Sequence, residues 1–189
     1  MEDIFTTQKK YQIIYADPPW AYNKRNNLAT KFGGGANGHY DVMKIQDIQN
    51  LPISRISDEN CALFMWTTFP KLLEQVDVFK FWGFHYVTLG FSWIKIYKKS
   101  AKPCFGIGYY TKSNCEVCLL GIKGKMKPIS NAVSSCVISE RREHSRKPDE
   151  VRDRIVQLLG NLPRIELFAR QKTQGWDCWG NDKNLLGGD

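Results

Sequence analysis

Short apolar runs of strand character alternate along this chain with segments of helical periodicity, and this alternation constrains the fold more than any other feature. Helices are predicted at 70–82 and 148–159, because each segment has one apolar face, a proline at its start and a glycine after its end. Strands are predicted at 11–16, 61–67, 84–96, 115–123 and 164–169. Strands that alternate with helices predict an α/β domain with a largely parallel sheet.

The two predicted helices each present a set of apolar side chains to the core. These are Leu72, Leu73, Val76, Phe79 and Trp82 in the first helix, and Val151, Ile155, Leu158 and Leu159 in the second.

Length and composition favour a globular chain with one core. The 189 residues are 42% hydrophobic and 24% charged, with no repeat or low-complexity linker, so we expect a single domain over residues 1–189. The first twenty residues lack the apolar run of a signal peptide, and no stretch reaches the ~20 apolar residues that span a bilayer. We therefore expect a cytoplasmic protein, monomer or homodimer, without a membrane partner.

Six cysteines raise the alternatives of disulfides and zinc. The one close pair, Cys115 and Cys118, falls inside a predicted strand, where residues three apart point to opposite faces and cannot share a metal ion. No second pair completes a tetrahedral ligand set. We expect buried free thiols and no metal.

The positive charge is concentrated in three segments that have the composition of loops. The net charge is +8, and residues 97–113 contain four lysines and no acidic residue. Residues 21–41 and 123–147 are also basic. A solvated basic face is one explanation; clustering in three loops favours a surface that contacts phosphates. The candidate contacts are Lys24, Arg25, Lys98, Lys99, Lys102, Lys112, Arg141 and Arg142.

Three glycines in the first basic segment match the spacing of a dinucleotide-binding motif. Gly33, Gly35 and Gly38 form G-x-G-x-x-G, but no strand precedes them and no helix follows. The motif requires both neighbours. We interpret this stretch as a glycine-rich loop.

The tetrapeptide Asp17-Pro18-Pro19-Trp20 directly follows the first predicted strand, where open α/β sheets bind ligands. The ionised Asp17 and the Pro18 carbonyl offer only hydrogen-bond acceptors, and the prolines hold them rigidly. A planar group with an NH₂, such as adenine, fits two acceptors beside a tryptophan face. Accepting both protons stabilises charge that develops as the amine attacks a methyl group. The alternative is a merely stiff turn.

The chain resembles the DPPW-motif, or β-type, adenine-N6 methyltransferases. This family contains the eukaryotic messenger-RNA adenosine methyltransferase and DNA methyltransferases of phages and bacteria. Beside DPPW, four blocks match in the expected order: residues 62–67, Glu116 with 119–124, 142–150, and 165–181. The resemblance implies a Rossmann-like, doubly wound methyltransferase sheet with helices on both faces, and S-adenosylmethionine as the methyl donor.

The resemblance also implies which residues meet the donor. Lys147 is expected at its carboxylate, and Arg170 and Asn181 at its ribose. Asp182 stands where the family often has glutamine. The full set implied by the resemblance is Asp17, Lys147, Glu166, Leu167, Phe168, Arg170, Asn181 and Asp182. As an alternative, Glu166 and Arg170 form an ion pair on the surface.

Two functions remain open from the sequence. The first is methyl transfer to N6 of adenine in DNA, with Asp17, Pro18, Pro19 and Trp20 as catalytic residues, in a prokaryotic or phage-infected cell; RNA is the alternative substrate. Base access in a duplex requires extrusion of the adenine. The second is a non-catalytic nucleic-acid-binding subunit. The intact DPPW motif favours the enzyme.

Overall fold

The computed structural model describes residues 1–21, 42–106, 110–141 and 146–180. Within these ranges the strands are β1 (Tyr11–Ala16), β2 (Ser57–Thr67), β3 (His85–Ile96), β4 (Cys115–Lys123), β5 (Cys136–Glu140), β6 (Arg164–Leu167) and β7 (Asp177–Trp179). The helices are α1 (Ile45–Gln49), α2 (Ile53–Ile56), α3 (Leu72–Phe81) and α4 (Glu150–Leu159), and a 3-10 turn (Phe69–Lys71) precedes α3.

The seven described strands form one mixed sheet in the order β5-β3-β4-β2-β1-β6-β7. β1 is parallel to β2 and β6, β6 to β7, and β3 to β5. β4 alone among these strands runs antiparallel, to both β2 and β3. The predicted largely parallel sheet is confirmed. The reversal of β4 was not predicted, and it brings the start of β4 to the edge where β1, β2, β3 and β6 end.

Helices cover both faces of the sheet, as predicted. On one face, Ile48 of α1 and Val78, Phe79 of α3 pack against the alternate β1 residues Ile14 and Ala16. On the other face, α4 packs Val151, Ile155 and Leu159 against Ile13 and Tyr15 of the same strand. Successive strand residues point to opposite faces. β1 is therefore buried on both sides, which explains its apolar sequence from Ile13 to Ala16.

The helical faces differ from the prediction at five positions. Leu73 of α3 is exposed, whereas Gln75 and Val78 are buried. Arg152 of α4 is buried and Leu158 is only partly so. The polar exceptions have partners: the Gln75 side chain bonds both the amide and the hydroxyl of Thr68, and the Arg152 guanidinium pairs with the Glu166 carboxylate.

Four short elements escaped prediction, namely α1, α2, β5 and β7. β2 begins four residues earlier than predicted, at Ser57, and β6 ends two residues earlier, at Leu167. β6 ends there because Phe168 has a positive φ of 60°, which turns the chain out of the strand.

All six cysteines are present as thiols, and Cys118 lies fully buried in the core beneath α4. Burial raises the pKa of its thiol well above the ordinary value. Among the helices of the described residues, none has the length and apolar character needed to cross a membrane.

Candidate active site

The Asp17-Pro18-Pro19-Trp20 motif forms a tight turn at the carboxyl end of β1. The Asp17 amide donates to the Leu167 carbonyl of β6 at 3.5 Å, which extends the pairing of β1 and β6 by one step. The Trp20 amide donates to the Pro18 carbonyl at 2.9 Å. A carbonyl oxygen has two lone pairs, so Pro18 keeps one acceptor position for a ligand.

Backbone hydrogen bonds also join this turn to Met43. The Met43 amide donates to the Pro19 carbonyl at 2.8 Å, and the Ala21 amide donates to the Met43 carbonyl at 3.1 Å. Trp20 and Met43 form an isolated parallel bridge. Ala21 and Met43, which flank the residues outside the described ranges, therefore lie next to each other beside the motif.

Asp17 pairs with Lys147, a residue 130 positions away in sequence. The Lys147 Nζ lies 2.7 Å from Oδ1 and 2.8 Å from Oδ2 of Asp17. Lys147 directly precedes Pro148 and α4, whose packing on the sheet brings the ammonium group over the end of β1. The Lys147 side chain is 10% exposed and that of Asp17 is 19% exposed, so the pair is shielded from solvent.

Glu116, near the start of β4, extends this pair into a chain of alternating charges. Its Oε2 lies 3.3 Å from the Lys147 Nζ, and its Oε1 accepts from the Lys95 ammonium. Burial raises the pKa of Glu116, but Lys147 and Lys95 outweigh burial and lower it to about 2. Burial lowers the pKa of Lys147, and the carboxylates of Asp17 and Glu116 outweigh that and raise it.

Glu116 lies in one of the blocks that match the family, but the sequence alone predicted no role for it. Lys95 was not predicted as a site residue. A usable signal existed for Glu116, since it is the one charged residue in the apolar run from 115 to 122. A charge inside a buried strand needs a partner or a function. Lys95 has no comparable signal, because it falls at the half-buried end of β3.

Trp66 connects Trp20 with the charged groups. The Trp20 indole N–H donates to the Trp66 carbonyl at 3.1 Å, and the Trp66 indole N–H donates to the Tyr15 hydroxyl at 2.7 Å. The Lys147 ammonium lies 5.3 Å from the centroid of the Trp66 ring. Trp20 itself is only 7% exposed. Most of the Trp20 surface therefore packs in the core. Its stacking on a base stays a prediction.

Glu166 is buried opposite Arg152 of α4. The Arg152 Nε and Nη2 donate to the two oxygens of the Glu166 carboxylate at 2.7 and 2.6 Å. The Arg152 Nη1 also donates to Asp149 Oδ1 at 2.8 Å. The alternative that Glu166 lies in an ion pair on the surface is wrong, because its carboxylate is buried against Arg152. A role of Glu166 at the donor stays a prediction.

The remaining predicted donor residues of the described chain follow β6. Leu167 pairs in register with Ala16, so Phe168 lies across from Asp17. The Phe168 ring packs edge-on against Trp179 with centroids 5.3 Å apart, and the Ala169 amide donates to the Trp179 carbonyl at 3.0 Å. The left-handed conformation at Phe168 thus turns the chain that carries Arg170 out of β6, and Ala169 then bonds to β7.

The predicted phosphate contacts divide into two groups. Lys98, Lys99, Lys102 and Lys112 are exposed in the connection from β3 to β4, at the same edge as Glu116. Arg141 is exposed beside them, and its amide donates to the Ile96 carbonyl at 3.0 Å. The residues of the second group, together with two predicted donor residues and the three motif-like glycines, lie outside the described residues: Lys24, Arg25, Arg142, Asn181, Asp182, Gly33, Gly35 and Gly38.

The MT-A70 family profile matches residues 11–182, which is nearly the whole chain. The chain belongs to the MT-A70 family. The "Type II methyltransferase M.MunI" of Mycoplasma sp is 37% identical over 188 residues, which cover 92% of this chain and 78% of that protein. The "N(6)-adenosine-methyltransferase MT-A70-like" protein of Arabidopsis thaliana is 25% identical over 177 residues, and the human catalytic subunit METTL3 is 25% identical over 176 residues.

The MT-A70 match covers the relatives unequally. This chain spans 24% of the Arabidopsis protein and 28% of the human protein, so it corresponds to only one part of each. The sequence-based identification as an adenine-N6 methyltransferase is confirmed. As a methyltransferase of the MT-A70 family, the chain requires a methyl donor.

Proposed function

We propose that this MT-A70 chain transfers a methyl group from S-adenosylmethionine to N6 of adenine in DNA. The observation that carries the proposal is the Asp17 turn, which holds a carboxylate and the Pro18 carbonyl rigidly at the carboxyl edge of the sheet. The choice of DNA is supported by the similarity to M.MunI, which exceeds the similarity to the adenosine methyltransferases of plants and animals.

The target amine is recognised through its two protons. The Asp17 carboxylate accepts one proton and the free lone pair of the Pro18 carbonyl accepts the other, so the nitrogen lone pair turns towards the methyl group. Lys147 contacts both oxygens of Asp17 and thereby fixes the direction of the carboxylate. When the N–C bond forms, the bond from the methyl group to the donor sulfur would break and leave a neutral thioether. The amine would become positive, and Asp17 would stabilise that charge and accept the proton that is lost.

The donor fits the chemistry of this edge. S-adenosylmethionine offers an ammonium group, a carboxylate and ribose hydroxyls, and it supplies a methyl group on a positively charged sulfur. The edge offers the carboxylate of Asp17, the ammonium of Lys147 and the chain after β6 that carries Arg170. We assign Lys147 to the donor carboxylate and Asp17, Leu167 and Phe168 to its amino acid moiety. Glu166, Arg170, Asn181 and Asp182 complete the proposed set at the ribose.

The test is a methylation assay with isotope-labelled S-adenosylmethionine on matched DNA and RNA, each single- and double-stranded. We expect transfer to DNA, and a loss of about 10²–10³-fold in rate for Asp17→Ala, because one positioned electrostatic group is removed. Asp17→Asn keeps the shape and removes the charge. Asp77→Ala, at an exposed aspartate of α3, is the matched control and should retain full activity.

Three results would contradict the proposal. Transfer to RNA alone would make the chain an RNA methyltransferase. Near-normal turnover of folded Asp17→Ala would remove Asp17 from the chemistry. Nucleic-acid binding without any transfer would indicate the non-catalytic subunit.

A further inference from the structure

Three aromatic side chains are exposed on the connection between β3 and β4. Tyr97 is 48% exposed, Phe105 is 57% exposed and Tyr110 is fully exposed. Large aromatic side chains left in solvent forgo the stabilisation that burial gives them. Three of them on one short connection indicate a surface that is covered by something else.

The same connection carries a strong positive charge. Lys98, Lys99, Lys102 and Lys112 alternate with the aromatic residues, and no acidic residue occurs from 97 to 113. A protein partner with an apolar surface would have to desolvate these four ammonium groups. Aromatic side chains interleaved with cations are instead the chemistry that binds unpaired nucleic acid, with bases stacked on rings and phosphates on cations.

Hydrogen bonds hold the two ends of this connection against the end of β3, next to Glu116. The Cys104 amide donates to the Lys95 carbonyl at 2.8 Å, and the Asn114 side chain donates to the carbonyls of Lys95 and Cys104. Gly106 and Ser113 exchange two backbone hydrogen bonds of 2.6 and 3.0 Å. Lys95, which anchors the connection through its carbonyl, also reaches Glu116 through its ammonium group.

Ion pairs join the start of this connection to the candidate active site. Two ion pairs, Lys95 with Glu116 and Glu116 with Lys147, connect the base of the connection to the pair of Lys147 with Asp17. The chain segment that carries the exposed rings therefore starts and ends at the edge of the sheet where Asp17 lies. Bases that flank an extruded adenine lose part of their stacking and need a substitute surface.

We propose that Tyr97, Phe105 and Tyr110 stack on unpaired bases next to the target adenine, so that the preferred substrate is single-stranded or locally opened nucleic acid. The inference rests on the proposed function and adds the form of the substrate. The lysines between the rings hold the backbone of the same strand. The rings supply affinity that does not depend on salt, and the lysines supply affinity that does.

The test compares affinities for a labelled single-stranded DNA and its perfect duplex over a salt series, by fluorescence anisotropy. Tyr110→Ala and Phe105→Ala should each weaken single-strand binding by about 5- to 100-fold at every salt concentration, with an unchanged salt slope. Lys98→Ala/Lys99→Ala should instead flatten the slope by about 0.7 for each lost phosphate contact. Tyr110→Phe, which keeps the ring, should bind like the wild type.

The matched control is Phe81→Ala. Phe81 is 60% exposed at the end of α3, four residues before β3 begins, whereas Tyr97 follows the end of this twelve-residue strand. Phe81→Ala should leave the affinities for the single strand and for the duplex unchanged. Unchanged single-strand affinity in both aromatic variants would overturn the inference, as would an equal loss on the perfect duplex. Wild-type methyl transfer to DNA, measured in parallel, tests the proposed function separately.

Discussion

The Lys147 ammonium group contacts two carboxylates, those of Asp17 and Glu116. Lys95 supplies the second cation, so two positive and two negative side chains meet where β1 and β3 end and β4 begins. A charged group that is shielded from water needs such compensation. The arrangement keeps Asp17 oriented before any ligand arrives.

Glu116 gives a pH dependence whose sign follows from its lowered pKa. The ordinary value is 4.5 and the folded value is about 2, so the carboxylate contributes stability above pH 4.5. This contribution is lost as the pH falls from about 4.5 to about 2. We expect the free energy of unfolding of the wild type to fall more steeply over this window than that of Glu116→Gln, measured by urea unfolding at several pH values.

The control for this measurement is Glu74→Gln. Glu74 pairs with Lys71 on the surface of α3 and is 56% exposed. Its slope against pH should match that of the wild type. Parallel slopes for Glu116→Gln and the wild type would show that Glu116 is not ionised against Lys147 and Lys95.

At the scale of elements, the contact of α4 with β6 depends on a buried ion pair. The Arg152 guanidinium of α4 donates two hydrogen bonds to the Glu166 carboxylate of β6. It also lies 5.7 Å from the centroid of the Tyr15 ring. The helix that packs on this face of the sheet is therefore positioned by charge as well as by Val151 and Ile155. Lys147 precedes this helix, so the pair also positions the site.

Arg152→Met should destabilise the protein by about 3–5 kcal/mol, because it leaves the Glu166 carboxylate buried without its partner. Arg152→Met/Glu166→Met removes both charges and should recover most of this loss. Urea unfolding of the wild type, the single and the double variant provides the comparison. A double variant no more stable than Arg152→Met would mean that the loss comes from packing alone.

At the scale of the whole molecule, the donor should stabilise the fold, since its proposed contacts come from both ends of the chain. A ligand at about 100 times its dissociation constant adds about 2.7 kcal/mol. For a chain of this size we expect the melting temperature to rise by about 5–10 °C with S-adenosylmethionine. Differential scanning calorimetry measures the shift. Methionine alone should raise the melting temperature little. A rise with methionine equal to that with S-adenosylmethionine would argue against a site for the whole donor.

The sequence predicted the principal layers of the fold and the position of the reacting turn. The bounds of β1 and β4 agree with the prediction, and Asp17 follows β1 at the ligand-binding edge. β5 and β7 were missed because five and three residues are too few to show periodicity. The pairing of Lys147 with Asp17 joins distant positions, and no local pattern reports which strands become neighbours. An arginine facing the core, such as Arg152, breaks the apolar pattern from which a helical face is predicted.

The backbone hydrogen bond from Ala21 to Met43 bears on how MT-A70 chains can vary in sequence. It joins the two ends of the intervening segment through backbone groups, so it does not depend on which side chains the segment carries. The free energy of closing a segment grows only with the logarithm of its length, and doubling that length costs about 0.6 kcal/mol. Insertions and replacements between these two points are therefore thermodynamically cheap and leave Asp17 in place.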